Sequence, residues 1–154
     1  MESIQEARVQ RKLLVVDDQH PVLETLGAML TSVGYRVVCV STGAGALDAA
    51  RLHAFDGALI DIYMPEMDGF ETALRLRDQN DRLGRTTRIW HITGMHSFAA
   101  ERRSAQCGVM GLILKLFNLT HLCEVLEAGF SAPMPAVEAE IPPPLKPVRG
   151  AGVE

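Results

Sequence analysis

Lys12-Leu13-Leu14-Val15-Val16-Asp17-Asp18 is a short apolar run that ends on two adjacent carboxylates. Three further runs end on residues capable of chemistry. Ala58-Leu59-Ile60 stops at Asp61, Ile89 to Ile92 stops at Thr93, and Leu112-Ile113-Leu114 stops at Lys115. Apolar runs this short, bounded by polar residues, read as buried strands. Scattered surface charge would not respect strand ends four times. In an open parallel α/β sheet, the C-terminal strand ends line the crevice where ligands bind.

Working outward, helical periodicity fills the gaps between the runs. Val22, Leu23, Leu26, Met29, Leu30 and Val33 share one helical face, with Pro21 in the first turn and Gly34 as the expected C′ residue. Arg36 to Val40 is β-branched and reads as a further strand. An alanine-rich helix is expected over about residues 44–52, and a third after Gly69 that packs Phe70, Ala73, Leu74 and Leu76. Gln79 to Arg88 reads as a polar, basic connection. Ser97 is a candidate N-cap for a helix that stops at Gly108, and a last helix starts at Asn118 or Thr120. Strands alternating with helices imply right-handed crossovers and a parallel sheet covered on both faces.

The chain of 154 residues is expected to form one domain over residues 12–130. Residues 1–11 read as a polar N-terminal extension. Residues 131–154 carry Pro133, Pro135, Pro142, Pro143, Pro144 and Pro147, and read as an extended, flexible tail or linker. A formal net charge of −4 argues against direct nucleic-acid binding. No apolar run reaches the roughly 20 residues of a membrane span. Cys39, Cys107 and Cys123 show no Cys-x-x-Cys spacing and read as reduced thiols in a cytoplasmic protein. The five histidines, His20, His53, His91, His96 and His121, form no metal-ligand spacing. His91 lies within an apolar strand and reads as a hydrogen-bonded interior residue, and Arg102 and Arg103 read as a solvated face.

Asp17, Asp18 and Asp61 would repel one another in a shared crevice, by about 4 kcal/mol for a pair 4 Å apart at an effective dielectric of 20. All-oxygen ligands of this kind suit Mg²⁺, and Lys115 can neutralise one carboxylate. A carboxylate held beside a cation, a lysine and the Thr93 hydroxyl is a set able to take a phosphoryl group, a reaction governed by positioning and electrostatics.

At this point the residues resemble the receiver domain of two-component response regulators, the CheY-like fold. The pieces that carry the resemblance are Leu14-Val15-Val16-Asp17-Asp18, then Asp61-Ile62-Tyr63-Met64-Pro65-Glu66-Met67-Asp68-Gly69, then Thr93-Gly94, then Lys115, in matching order and spacing. The resemblance implies a flavodoxin-like (βα)5 three-layer sandwich with sheet order 2-1-3-4-5. It implies Asp61 as phospho-acceptor, with Asp17, Asp18, Asp61 and the Tyr63 backbone carbonyl around Mg²⁺. Thr93 would be the switch hydroxyl and Lys115 the family lysine. The implied donor is a phosphohistidine on a sensor histidine kinase or a histidine phosphotransfer protein. The implied outcome is a change in partner binding, including homodimerisation through the fourth helix, fifth strand and fifth helix. Such a domain catalyses only its own phosphorylation and dephosphorylation, so it is not expected to turn over an external substrate. Tyr63 and Met95 fall at the family positions that flank the hydrolytic water, and both are large and unable to orient one.

Two departures bear on signal output. Leu112 stands where the family usually has an aromatic residue, and Leu116 stands where it usually has proline. A cis bond before Leu116 would cost about 3–4 kcal/mol, so a trans Lys115–Leu116 bond is expected. The departures keep open a second reading, a receiver-like interaction module independent of phosphorylation. A metal-dependent phosphatase using an aspartyl nucleophile is a third, and would need a cap for which the chain leaves no room.

Overall fold

Packing realises this alternation as a five-stranded sheet between two helical layers. The computed structural model describes residues 6, 8, 10–115, 117–143 and 145. The strands are β1 (Lys12–Val16), β2 (Arg36–Val40), β3 (Gly57–Asp61), β4 (Arg88–Thr93) and β5 (Gly111–Leu114). The helices between and after them are α1 (His20–Ser32), α2 (Gly43–Leu52), α3 (Gly69–Leu83), α4 (Phe98–Gln106) and α5 (Leu119–Phe130). All strand pairs are parallel, in the order β2-β1-β3-β4-β5. This is the flavodoxin-like sandwich.

Alternate side chains of each strand feed two separate cores. Leu14, Val16, Ala58, Ile60 and Ile89 join Ala46, Leu47, Phe70, Ala73, Leu76 and Ala100 on the face covered by α2, α3 and α4. Leu13, Val15, Leu59, Trp90 and Ile92 join Leu23, Leu26, Leu30, Leu122 and Leu126 on the face covered by α1 and α5. Double coverage is why the central strands are buried along almost their whole length rather than at every second position.

The helix ends follow local chemistry. Gly34, at φ 108°, closes α1, with its N–H donating to the Thr31 carbonyl and the Tyr35 N–H reaching back to Leu30. Thr42, Asp68, Ser97 and Asn118 each accept a backbone N–H at the start of α2, α3, α4 and α5.

Two stretches differ from the sequence reading. The polar connection expected from Gln79 begins late, because α3 continues to Leu83 and closes at Gly84, φ 68°. Its polar residues are anchored rather than solvated: Gln79 donates to the Leu47 carbonyl, and Asn80 donates to Thr87 Oγ1, which donates to the Phe55 carbonyl. Arg85 then donates to the Ala50 carbonyl at the end of α2. The proline-rich segment is extended through its described part but is held against the domain. The Glu138 and Ala139 N–H groups both donate to the Gln106 carbonyl at 2.8 Å. Val137 and Ala139 pack on the α2–α3–α4 core, and Arg75 donates to the Pro143 carbonyl at 2.7 Å. Leu116 lies outside the described residues, and with it the expected trans bond after Lys115.

Candidate functional site

Parallel registry brings the four chain segments flagged by sequence to one edge of the sheet. Val16 pairs with Ile60, Asp61 with Ile92 and Thr93 with Leu114. Backbone bonds extend the ladder one step past the strands: Asp17 N–H to Val40, Ile62 N–H to Ile92, and Lys115 N–H to Thr93 at 2.8 Å. Asp17, Asp61, Thr93 and Lys115 therefore stand side by side at the C-terminal edge, with Asp17 on the end of β1 and Lys115 on the end of β5.

The carboxylates of Asp17, Asp18 and Asp61 each offer an oxygen within 4.8 Å of the others. Asp17 and Asp61 are buried and Asp18 is exposed, so the cluster opens to solvent on the Asp18 side. Lys115 Nζ lies 2.8 Å from Asp17 Oδ2 and 3.3 Å from Asp61 Oδ1. The other Asp17 oxygen accepts the Gln19 N–H at 2.9 Å, ahead of α1. Among the described residues Asp17 Oδ2 has no partner beyond its ion pair with Lys115. A buried carboxylate oxygen with spare lone pairs, facing two more carboxylates, is a donor set that fits a hard divalent cation.

Charge in this cluster is poorly compensated. Burial, then the neighbouring Asp17 charge, pushes the Asp61 carboxyl up to about 6, and Lys115 only partly opposes this. Burial alone would lower the Lys115 pKa. The hydrogen bond to Asp17 and the charge of Asp61 outweigh it and hold the ammonium above its ordinary value. Lys115 is thus a permanent cation, a single fixed positive charge beside three carboxylates.

Thr93 is fully buried, and its hydroxyl is engaged within its own loop. It donates to the Met95 carbonyl at 3.1 Å and accepts the Met95 N–H at 3.3 Å. Tyr63 and Met95, two residues beyond Asp61 and Thr93, are 60% and 74% exposed.

Residues 13–127 match the family described as response regulator receiver domain. The chain belongs to that family. Receiver domains within larger proteins are among its relatives. It is 30% identical over 142 residues to histidine kinase 3 of Arabidopsis thaliana, covering 80% of this chain and 14% of that protein. It is 30% identical over 125 residues to the sensor protein EvgS of Escherichia coli, covering 78% of this chain and 10% of that protein. The chain therefore spans about a seventh or less of these relatives' length. Among solved structures it resembles the chemotaxis protein CheY4 of Vibrio cholerae, with a TM-score of 0.71 at 30% identity, covering 77% of this chain and 97% of that one. It also resembles the receiver domain of the Arabidopsis thaliana histidine kinase CKI1 in complex with Mg²⁺ and BeF₃⁻. That match has a TM-score of 0.75 at 25% identity over 83% of this chain and 95% of the other.

Sequence reading missed how the loop after Asp61 is held. Asp68 caps α3 by accepting the Glu71 N–H at 2.9 Å, which an Asp-Gly pair before an apolar helix could have signalled. The Gly69 N–H donates to the Ile62 carbonyl at 2.7 Å. A Cβ on Gly69 would fall 2.2 Å from the Asp61 carbonyl oxygen, so only glycine lets α3 start against this receiver's strand end. His91 is interior and hydrogen-bonded, as expected. Arg103 is exposed, as expected, and its guanidinium also lies 4.0 Å from the centre of the Phe70 ring.

Proposed function

We propose that this receiver domain accepts a phosphoryl group from a phosphohistidine onto Asp61 in an Mg²⁺-dependent reaction and changes partner binding in response. The supporting observation is Lys115 Nζ bridging buried Asp17 and Asp61 within a three-carboxylate cluster. An Asp61 carboxylate oxygen attacks phosphorus, the P–N bond breaks, and the imidazole nitrogen leaves with the electron pair and takes a proton from solvent. Asp17, Asp18 and Asp61 are the side chains that would hold Mg²⁺, with the Tyr63 carbonyl as a fourth donor. When bound, the metal supplies positive charge to the phosphoryl oxygens. Lys115 adds a second, fixed positive charge, and its grip on Asp61 Oδ1 leaves the other oxygen to attack. Thr93 must release Met95 before it can donate to a phosphoryl oxygen.

The donor would be a sensor histidine kinase or a histidine phosphotransfer protein, in the cytoplasm, with no external substrate turned over. No helix among the described residues is long and apolar enough to cross a membrane. A homodimer would use the face formed by α4, β5 and α5, where Phe98 and Leu114 are exposed and β5 is the sheet edge. Leu112 favours a second reading, a phosphorylation-independent interaction module: it is partly buried against the α2–α3–α4 core and lacks an aromatic ring to swing. Incubation with a phosphohistidine donor and Mg²⁺ separates the two. The first reading expects acid-labile phosphate on Asp61, abolished by Asp61→Asn. Phosphate uptake by Asp61→Asn at the wild-type rate would reject the site, and no uptake by the wild type would leave the second reading.

A further inference from the structure

The fully buried imidazole of His91 sits where β4, the start of α3 and α4 meet. Its Nε2 is 2.8 Å from the Gly69 carbonyl oxygen, and its Nδ1 is 2.8 Å from Ser104 Oγ. A carbonyl oxygen can only accept, so Nε2 carries the hydrogen. Nδ1 of the neutral ring then presents a lone pair, and the Ser104 hydroxyl donates to it. Burial keeps the ring neutral, with its pKa held down to about 4. The Phe70 ring packs against it in a T-shaped contact, with centroids 5.3 Å apart. Both nitrogens are committed and neither meets solvent, so His91 is not a phosphoryl carrier.

The two partners are informative. Gly69 is pressed on the backbone of the acceptor strand: its missing Cβ would meet Asp61 O at 2.2 Å and Ile62 Cα at 2.7 Å. Where Gly69 sits therefore decides where Asp61 sits. Ser104 is buried on α4, the helix that opens at Ser97, four residues after Thr93. His91 is itself two residues before Thr93. One side chain thus ties the loop after Asp61 to the helix after Thr93.

We propose that His91 is a positioning residue whose Nε2–H tautomer clamps Gly69, and through it the loop from Asp61 to Asp68, onto β4, while Ser104 fastens α4 to the same ring. This rests on the phospho-acceptor reading only in assigning the loop to the metal and phosphoryl site. The clamp predicts that the two nitrogens have separable effects. Glutamine can place an N–H near the Nε2 position and keep the Gly69 bond; asparagine reaches only the Nδ1 position and loses it.

The test uses the full chain with MgCl₂ as the probe and amide NMR as the readout. Losing a buried hydrogen bond to the loop should weaken Mg²⁺ binding about tenfold in His91→Asn. His91→Gln and Ser104→Ala should stay within about threefold of wild type. In wild type, ring ¹⁵N shifts should show the hydrogen on Nε2. In His91→Asn, the amide hydrogens of Gly69 and Phe70 should exchange faster. Wild-type Mg²⁺ affinity in His91→Asn, equal losses in the Asn and Gln variants, or an Nδ1–H tautomer would each overturn the clamp. If wild type binds no Mg²⁺, the phospho-acceptor reading fails, and the tautomer and exchange rates still decide the clamp. If the variants do not fold, the wild-type tautomer decides it.

Discussion

Asp61→Asn should stabilise the metal-free protein. The Asp61 carboxyl is raised from 3.8 to about 6 by burial and by Asp17. A carboxyl whose folded pKa lies above its unfolded value contributes stability that is complete below about pH 4 and is lost as pH rises through about 6. With 1.36 kcal/mol per unit, keeping Asp61 ionised at pH 7.5 costs up to about 3 kcal/mol. Asparagine removes that cost, leaving Lys115 its 2.8 Å pairing with Asp17. The expected gain is about 1–3 kcal/mol at pH 7.5 without metal, shrinking towards zero near pH 4. Urea unfolding followed through Trp90, the single tryptophan and fully buried, reads it directly. The difference between variant and wild type is the quantity to measure, because His91 titrates with the opposite sign over much of the same range. Saturating Mg²⁺ should narrow or reverse the difference, since the metal stabilises the protein that keeps all three carboxylates. A variant no more stable than wild type at pH 7.5 in a chelator would refute the claim that the site is over-charged.

The remaining predictions concern other parts of the molecule. His91 stays neutral down to about pH 4 when folded, but protonates near 6.5 when unfolded, so it contributes stability above 6.5 that is lost as pH falls through 4. His91→Leu should therefore flatten the acid side of the stability profile by up to about 3 kcal/mol, seen as a smaller drop in unfolding midpoint between pH 7 and pH 4.5. The pair Tyr63→Asn and Met95→Glu should speed loss of the acyl phosphate, because a water-orienting group replaces each bulky exposed side chain; unchanged or slower decay of the ³²P label would reject this. Val137→Asp places a charge where the C-terminal segment packs on the core, and should cost about 1–2 kcal/mol in urea unfolding while Mg²⁺ affinity stays at the wild-type value.

Much of the fold was legible because strand and helix signals are local. The apolar runs at Leu13, Ala58, Ile89 and Leu112 and the caps at Ser97 and Gly34 needed no distant partner to be read. The run from Gln79 was misread because its polar side chains look solvated in sequence, yet Gln79 and Asn80 bond to residues 32 and 7 positions away. The proline-rich segment looked free for a similar reason. Proline composition reports what a segment cannot form, not what its backbone N–H groups find, and here Glu138 and Ala139 find the one carbonyl of Gln106.

What the sequence by itself determined is the chemistry available at the strand ends: three carboxylates, a hydroxyl and an ammonium, each at or just after the end of a short apolar run that reads as a strand. Residue type and periodicity are covalent, local properties, so they survive without coordinates. What only the tertiary structure decided is how those groups meet. Parallel registry lines these groups along one end of the sheet, the Lys115 side chain reaches back from β5 to bridge Asp17 and Asp61, and burial, which no sequence window reports, pushes Asp61 up to about 6. The same holds for His91, whose partners Gly69 and Ser104 lie 22 and 13 residues away in opposite directions. Hydrogen bonds at such separations exist only once the helices have packed on the sheet, and packing is a property of the whole chain.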